Sequence, residues 1–413
     1  MLKISPLSFI GIDYSPTWSR ERGFIKQKPE DFIVREVTPD GMVIDEQLRL
    51  KGETGLFTHF LLKKSGIDTL SARGALKSFL EDGTLSIKES DISFAGLKDA
   101  KAITYQRGSI WNVKPEKLQN FTHDQMAILS AVTGLYEVAP GDLTGNHFQI
   151  VVRSPDINAD LLKTVSEKVK AEGVPNFFML QRFGSRRPIL HKIGKCLLKR
   201  DYKSAVLGYI CVASSLEQED ILNARISLIE KGLDGLPSFL KKMPKKYYYE
   251  RKLAHLLDSK HPNFQRAIYS LPRDFLKLAI SAYQSYIFNI TVSALIKENS
   301  FDLINRKIPM PGQDYTTYRG LDAEIEEQVN GVLEDENLEL EQYNKNNRVK
   351  GFKTKFRKAI IFPEKLQIEC NKSFFNLKFS LCKGSYATAI INQFSLVGDL
   401  DIELMFPDYI DWV

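Results

Sequence analysis

Apolar and polar residues alternate without a break from Phe375 to Leu381, where Phe375, Leu377, Phe379 and Leu381 are separated by Asn376, Lys378 and Ser380. A period of two turns one face to a core and the other to water, which predicts a half-buried strand. Phe148, Ile150 and Val152 repeat the pattern after the turn "PGDLTG", and Phe32 and Val34 share a strand face after a bend at Pro29. "TLSARGALKSFLEDG" predicts a helix that stops at Gly83. From about residue 176 the period becomes helical. The longest such run extends from an N-cap at Asp274 to Pro309, with Phe275, Leu278, Ala282, Tyr286 and Ile290 at helical spacing. "KGS" then leads from the Phe375–Leu381 strand into "YATAIINQF". With no internal repeat and no low-complexity linker, the order predicts an α+β protein. A strand-rich unit is split by a long, mostly helical insertion, and the two chain ends rejoin one sheet.

The 413 residues suggest two or three units, and a 43% apolar share is ordinary for a globular protein. No stretch approaches the roughly 18 uninterrupted apolar residues of a spanning helix. Pro6 and Asp13 interrupt the place where a signal peptide needs its apolar core, so a cytoplasmic protein is expected. Cys196, Cys211, Cys370 and Cys382 form no CxxC and stand near no histidine at metal-ligand spacing, which predicts buried reduced thiols and no metal site. A net charge of +6 is only mildly basic, but its distribution is uneven. Arg182, Arg186, Arg187, Lys192, Lys195, Lys199, Arg200 and Lys203 are opposed only by Asp201, and "KKMPKKYYYERK" and "NKNNRVKGFKTKFRK" form two further basic runs. Such runs are either solvated faces or a surface for a phosphate backbone, with rings available to stack on bases. The acidic stretch 321–341 predicts a solvated helix face away from any polyanion.

The stretch "SFAGLKDAKAITYQRGSIW" places Gly96, Lys98 and Asp99 at a joint between two strand-like runs. Asp99 either stabilises the turn or is a reactive carboxylate held up by it. Neither GxxxxGK[ST] nor GxGxxG occurs, and none of the six histidines sits in a nucleophile elbow or a paired motif. Chemistry here falls to side chains, and a carboxylate with an ordinary pKa of about 3.9 is ionised at neutral pH and serves as nucleophile or base.

"FAGLKDAKAITYQ" resembles the A-G-x-K-D-x-x-A-x-T-x-Q motif of the TruD-type tRNA pseudouridine synthases, through Gly96, Lys98, Asp99, Ala102, Thr104 and Gln106. Five more segments resemble that family in order. They are "GFIKQKPEDFIV" with Lys26, Glu30 and Phe32, "GDLTGNHFQIVVR" with Asn146 and Phe148, "VPNFFMLQRFG" with Gln181 and Arg182, "AYQSYIFN", and "FSLCKGSYAT" with Tyr386. Cys382 departs from the proline usual in the last motif, and Tyr386 stands where many bacterial members carry Phe.

The resemblance implies a pseudouridine synthase-like, mixed and largely antiparallel sheet with flanking helices. Residues 1–172 and 362–413 would form the catalytic domain. Residues 173–361 would form the family's own insertion and the other wall of an RNA-binding cleft. It implies an isomerase acting on tRNA at the uridine of position thirteen in the D-arm, with no cofactor, no metal, no membrane and no obligatory protein partner. Asp99 would be the essential carboxylate, acting either by covalent attack or by assisting elimination. Lys26 would keep it ionised and oriented. Lys98, its sequence neighbour, points to the other face by strand alternation and would meet phosphate. The target base would be flipped out, and a stacked ring returns about 1–3 kcal/mol of that cost. Tyr386 would be that ring, Asn146 would hydrogen-bond the base or support the Asp99 loop, and Phe148 and Phe32 would either line the pocket or pack as plain core. Glu30 would orient Lys26 or stand on the surface. Gln181 and Arg182 would bind substrate, and Arg186, Arg187, Lys192 and Lys195 would follow the RNA backbone. A catalytically silent RNA-binding or chaperone protein of the same fold is the first alternative, and an Asp-nucleophile hydrolase the second.

Overall fold

The computed structural model describes residues 2–4, 6–13, 22–81, 86–155, 157–258, 261–298, 302–317, 322–340, 352–397, 402–408, 410 and 412. The chain folds as two compact units, one of Thr17–Val174 and Ile361–Gly398, the other of Met1–Pro16, Pro175–Ile360 and Asp399–Val413.

The first unit is built on an eight-stranded sheet. Along the chain its strands are β1 (Phe32–Val37), β2 (Phe57–Ser65), β3 (Ile92–Phe94), β4 (Ile103–Trp111), β5 (Met126–Gly134), β6 (Gly145–Arg153), β7 (Glu364–Cys370) and β8 (Phe374–Cys382). They lie in the order β7-β8-β6-β1-β4-β2-β5, with β3 also paired to β4. Among these pairs β1 with β4 is parallel and the others are antiparallel. The period-two pattern sets the register, with Phe148 opposite Phe379, Ile150 opposite Leu377 and Val152 opposite Phe375. All six are buried. The helix Thr69–Leu80 lays Ala72, Leu76 and Leu80 against Phe60, Leu62, Phe94 and Ile110. Asp68 caps it, accepting from the amides of Leu70 and Ser71 at 2.9 and 3.0 Å. Gly83, its expected stop, lies outside the described residues.

The second unit is mainly helical, and its axis is the helix Arg273–Glu298. Two details depart from the periodicity. The helix starts one residue before Asp274, because the amides of Phe275 and Leu276 already bond to Pro272. Asp274 therefore lies in the first turn, where its charge suits the helix dipole. It also ends by Glu298, since Lys307–Met310 forms a strand paired with Lys355–Lys358.

The chain ends do not rejoin the main sheet. Leu2–Ile4 pairs with Ile402–Met405, which pairs in turn with Ala213–Ser214 of the helical unit. Trp412 supports this arrangement, for its ring fills the space left by the absent side chain of Gly208. Both termini thus belong with the helices rather than the eight-stranded sheet. The four cysteines are free, but Cys370 and Cys382 are exposed, at the ends of β7 and β8, while Cys196 and Cys211 are buried as expected. No described helix is long and apolar enough to cross a membrane.

Candidate active site

Residues 95–102 join β3 to β4, and Asp99 stands on this loop with its side chain 62% exposed. Its Oδ2 accepts a hydrogen bond of 2.9 Å from Lys26 Nζ, 73 positions earlier. Lys26 lies just ahead of β1, in left-handed backbone geometry at φ +57°. That conformation costs a non-glycine residue about 1–2 kcal/mol, so the surroundings must hold it. Its ammonium also sits 4.3 Å from the centre of the Phe32 ring, a cation–π contact.

Phe32 meets Phe148 edge-on at 6.4 Å, and Phe148 meets Phe379 at 5.4 Å. The three rings are buried. Phe148 is therefore a core residue of the sheet, and Phe32 is a core residue that also supports Lys26. Asn146 stands opposite Glu36 on one side and Leu381 on the other. Its Oδ1 is buried without a hydrogen-bond partner among the described residues. An unsatisfied buried acceptor costs about 1–3 kcal/mol, which a bound donor would recover. Tyr386 is half-buried at the start of the helix Ala387–Phe394. Glu30 is exposed in the turn Pro29–Asp31, where its neighbour Asp31 takes Arg153 at 2.6 Å.

Lys98 departs from expectation. It does point away from the Asp99–Lys26 pair, but into the protein rather than toward phosphate. Its ammonium lies 3.3 Å from Glu36 Oε2, with both side chains buried. Burial pushes the Glu36 carboxyl above its ordinary pKa, and Lys98 opposes that shift. The amide of Arg107 donates to the other Glu36 oxygen at 3.3 Å. Sequence reasoning also missed Lys64. This β2 residue is 1% exposed, and its ammonium donates to the carbonyls of Lys98 and Asp99 at 3.1 and 3.0 Å. The available signal was its alignment with Leu62 and Phe60 on the buried face of a strand.

In the helical unit Arg182 is held on the long helix by Ser281 and by Ser285 at 3.1 Å, and Gln181 beside it is exposed. Arg186 is exposed. Arg187 is not available to an RNA backbone. It donates to the carbonyls of Tyr209 and Val212 at 2.8 and 3.1 Å and pairs with Glu217 and Glu250 at 3.3 and 3.2 Å. Arg225, fully buried, shares both carboxylates. Lys195 is likewise paired with Glu336, at 2.7 Å, so the acidic stretch is not wholly a solvated face. Lys192 lies over the rings of Phe9 and Tyr286. No group of three or more His, Cys, Asp or Glu among the described residues is placed to hold a metal ion.

The family model of tRNA pseudouridine synthase D (TruD) matches residues 11–306 and 302–394. The chain belongs to this family. Members of the tRNA pseudouridine synthase D family are isomerases that convert uridine to pseudouridine. A probable tRNA pseudouridine synthase D of Methanococcus maripaludis is 30% identical over 385 residues, which cover 90% of this chain and 95% of that protein. A probable tRNA pseudouridine synthase D of Methanosarcina mazei is 28% identical over an alignment of 447 positions, which covers 95% of this chain and 98% of that protein. The crystal structure of a putative tRNA pseudouridine synthase D from Methanosarcina mazei superposes with a TM-score of 0.69 at 27% identity. That match covers 93% of this chain and 96% of the other. The mixed, largely antiparallel sheet with flanking helices is thus the TruD fold.

Proposed function

We propose that this chain acts in the cytoplasm on the uridine at position thirteen of the tRNA D-arm, with Asp99 as the essential carboxylate and the target base flipped out of the stack. The carrying observation is the Lys26–Asp99 pair: an exposed carboxylate bound at 2.9 Å to a partly buried ammonium. The ion pair fixes the place of a carboxylate that remains open to solvent, where a substrate can meet it. In the reaction the N1–C1′ bond breaks, the base turns, and a C5–C1′ bond forms. The C5 hydrogen leaves as a proton and N1 gains one, so the product is an isomer. Asp99 serves this sequence either by covalent attack or by taking a proton during elimination. The unsatisfied Asn146 Oδ1 suits an N–H of the uracil edge, and Tyr386 suits stacking. The helical unit contributes tRNA contacts through Arg186 and Lys192. The position in the D-arm rests on the family resemblance.

A tRNA transcript tritiated at uridine C5 tests the reading by release of tritium to water. The chain should release one equivalent, and Asp99→Ala none, with tRNA affinity changed less than about threefold. Release by Asp99→Ala would remove the aspartate from its role. Undiminished release from a transcript without uridine at position thirteen would remove the site assignment.

A further inference from the structure

The loop that carries Asp99 is held from within the protein by a side chain to which the reaction above gives no task. The Lys64 ammonium donates to three main-chain carbonyls, those of Ile67 at 2.7 Å, Lys98 at 3.1 Å and Asp99 at 3.0 Å. An ammonium has three N–H donors, and here each has one acceptor. The acceptors belong to two segments outside the strand ladders, namely the bend entering the helix Thr69–Leu80 and the loop from β3 to β4. Thr69 ties the same segments together by accepting from the Lys98 amide at 2.9 Å.

We propose that Lys64 is a positioning residue, whose ammonium fixes the main chain at Lys98 and Asp99 and thereby the place of the Asp99 carboxylate against Lys26. The proposal rests on the reading of Asp99 given above. The neighbours of the ammonium are consistent with a group held charged against its surroundings. Uncharged Thr104 stands opposite it on β4, and Met126 on β5. Asp68, at the cap of the adjacent helix, and Asp99 favour its charge. Lys98 opposes it, although the Lys98 ammonium is itself paired with Glu36. Burial dominates and pushes the Lys64 ammonium down to about 8. Loss of its proton leaves two donors for three carbonyls and frees the loop. The expected result is a catalytic rate that falls as the pH rises through the mildly alkaline range.

Rates of tritium release are measured against pH, from about 6.5 to about 9.5, for the full chain and for Lys64→Met, Lys64→Arg and Asp99→Ala. Lys64→Met should lower kcat about 100-fold with little change in KM, as expected when a catalytic group is misplaced and the RNA surface is intact. The unsubstituted chain should lose activity with a midpoint near 8. Lys64→Arg, charged throughout, should move that limb upward by about one pH unit or more. Unchanged kcat in Lys64→Met, or an unchanged alkaline limb in Lys64→Arg, would overturn the proposal. If a variant fails to fold, the unsubstituted chain decides: amide exchange in residues 97–102, corrected for intrinsic rate, must rise across this range relative to β6. Constant protection there would also overturn it. An active Asp99→Ala would sink the reading of Asp99 itself. An inactive Asp99→Ala beside a fully active Lys64→Met would sink only the role of Lys64.

Discussion

Three lysines surround one aspartate, and each does something different. Lys26 meets the carboxylate, Lys98 neutralises Glu36 inside the sheet unit, and Lys64 holds the loop's carbonyls. Strand alternation predicts that Lys98 points away from Asp99, and it does. Both residues nevertheless lie on the loop 95–102, where the partner Glu36 and not a pleat sets the direction. The sequence alone could not say that Lys98 ends in the interior, since its partner Glu36 is 62 positions distant. For Lys64 the strand pattern signals a buried position, but the residue type points the other way. Lysine is almost never fully buried, so composition assigns it to the surface unless three carbonyls converge on it. Asp99 and Lys26 were legible only through their motifs; nothing local to either residue pairs them across 73 positions. Replacing Lys26 by Met should lower kcat about 10- to 100-fold without loss of tRNA affinity, and Lys26→Arg should restore part of the rate. Single-turnover kinetics against a binding assay separates the two effects. A loss confined to affinity would move Lys26 from the reaction to the RNA.

The strands of this chain are more legible in its sequence than the helices, and the reason lies in what each element needs. The Phe375–Leu381 alternation fixes its own face and register, so β8 appears where the pattern places it. The long helix overran because no glycine or proline separates it from Pro309, and the strand that claims Lys307–Met310 has its partner almost fifty residues later. Close helix packing was also hidden. A Cβ on Gly194 would stand 2.1 Å from the carbonyl oxygen of Ala279, so the helix Leu190–Lys199 lies against Arg273–Glu298 backbone to backbone. Gly194→Ala should gain up to about 1 kcal/mol in helix propensity. It should lose more by forcing the helices apart, for a net destabilisation of about 1–3 kcal/mol. Denaturant unfolding followed through Trp412, buried in this unit, measures it. Unchanged stability would show that the helices part without cost.

At the scale of the whole molecule, the net charge of +6 conceals a division of labour among the basic residues. Some, such as Arg187, Arg225 and Lys195, neutralise acids within the fold, while Arg186 faces solvent. A run of charge in sequence records neither fate, which is why neighbouring arginines must be tested apart. Arg186→Glu should weaken tRNA binding and reduce the slope of log affinity against log salt by about one, with no change in melting temperature. Arg187→Ala should instead cost about 3–5 kcal/mol of stability, because Glu217 and Glu250 lose a partner in a buried cluster. Equal thermal stability of the two variants would place Arg187 on the surface after all.

The pairing of β6 with β8 also sets a schedule for biosynthesis. β6 ends at Arg153, and its partner does not begin until Phe374, about 220 residues later. At about 5–20 residues per second, a ribosome takes roughly 10–40 s to make the intervening chain. For that time β6 has β1 on one side and an open row of amides and carbonyls on the other, an edge on which foreign strands can grow. The inserted helical unit therefore acts as a delay line, and each lengthening of it prolongs the nascent chain's need for a chaperone.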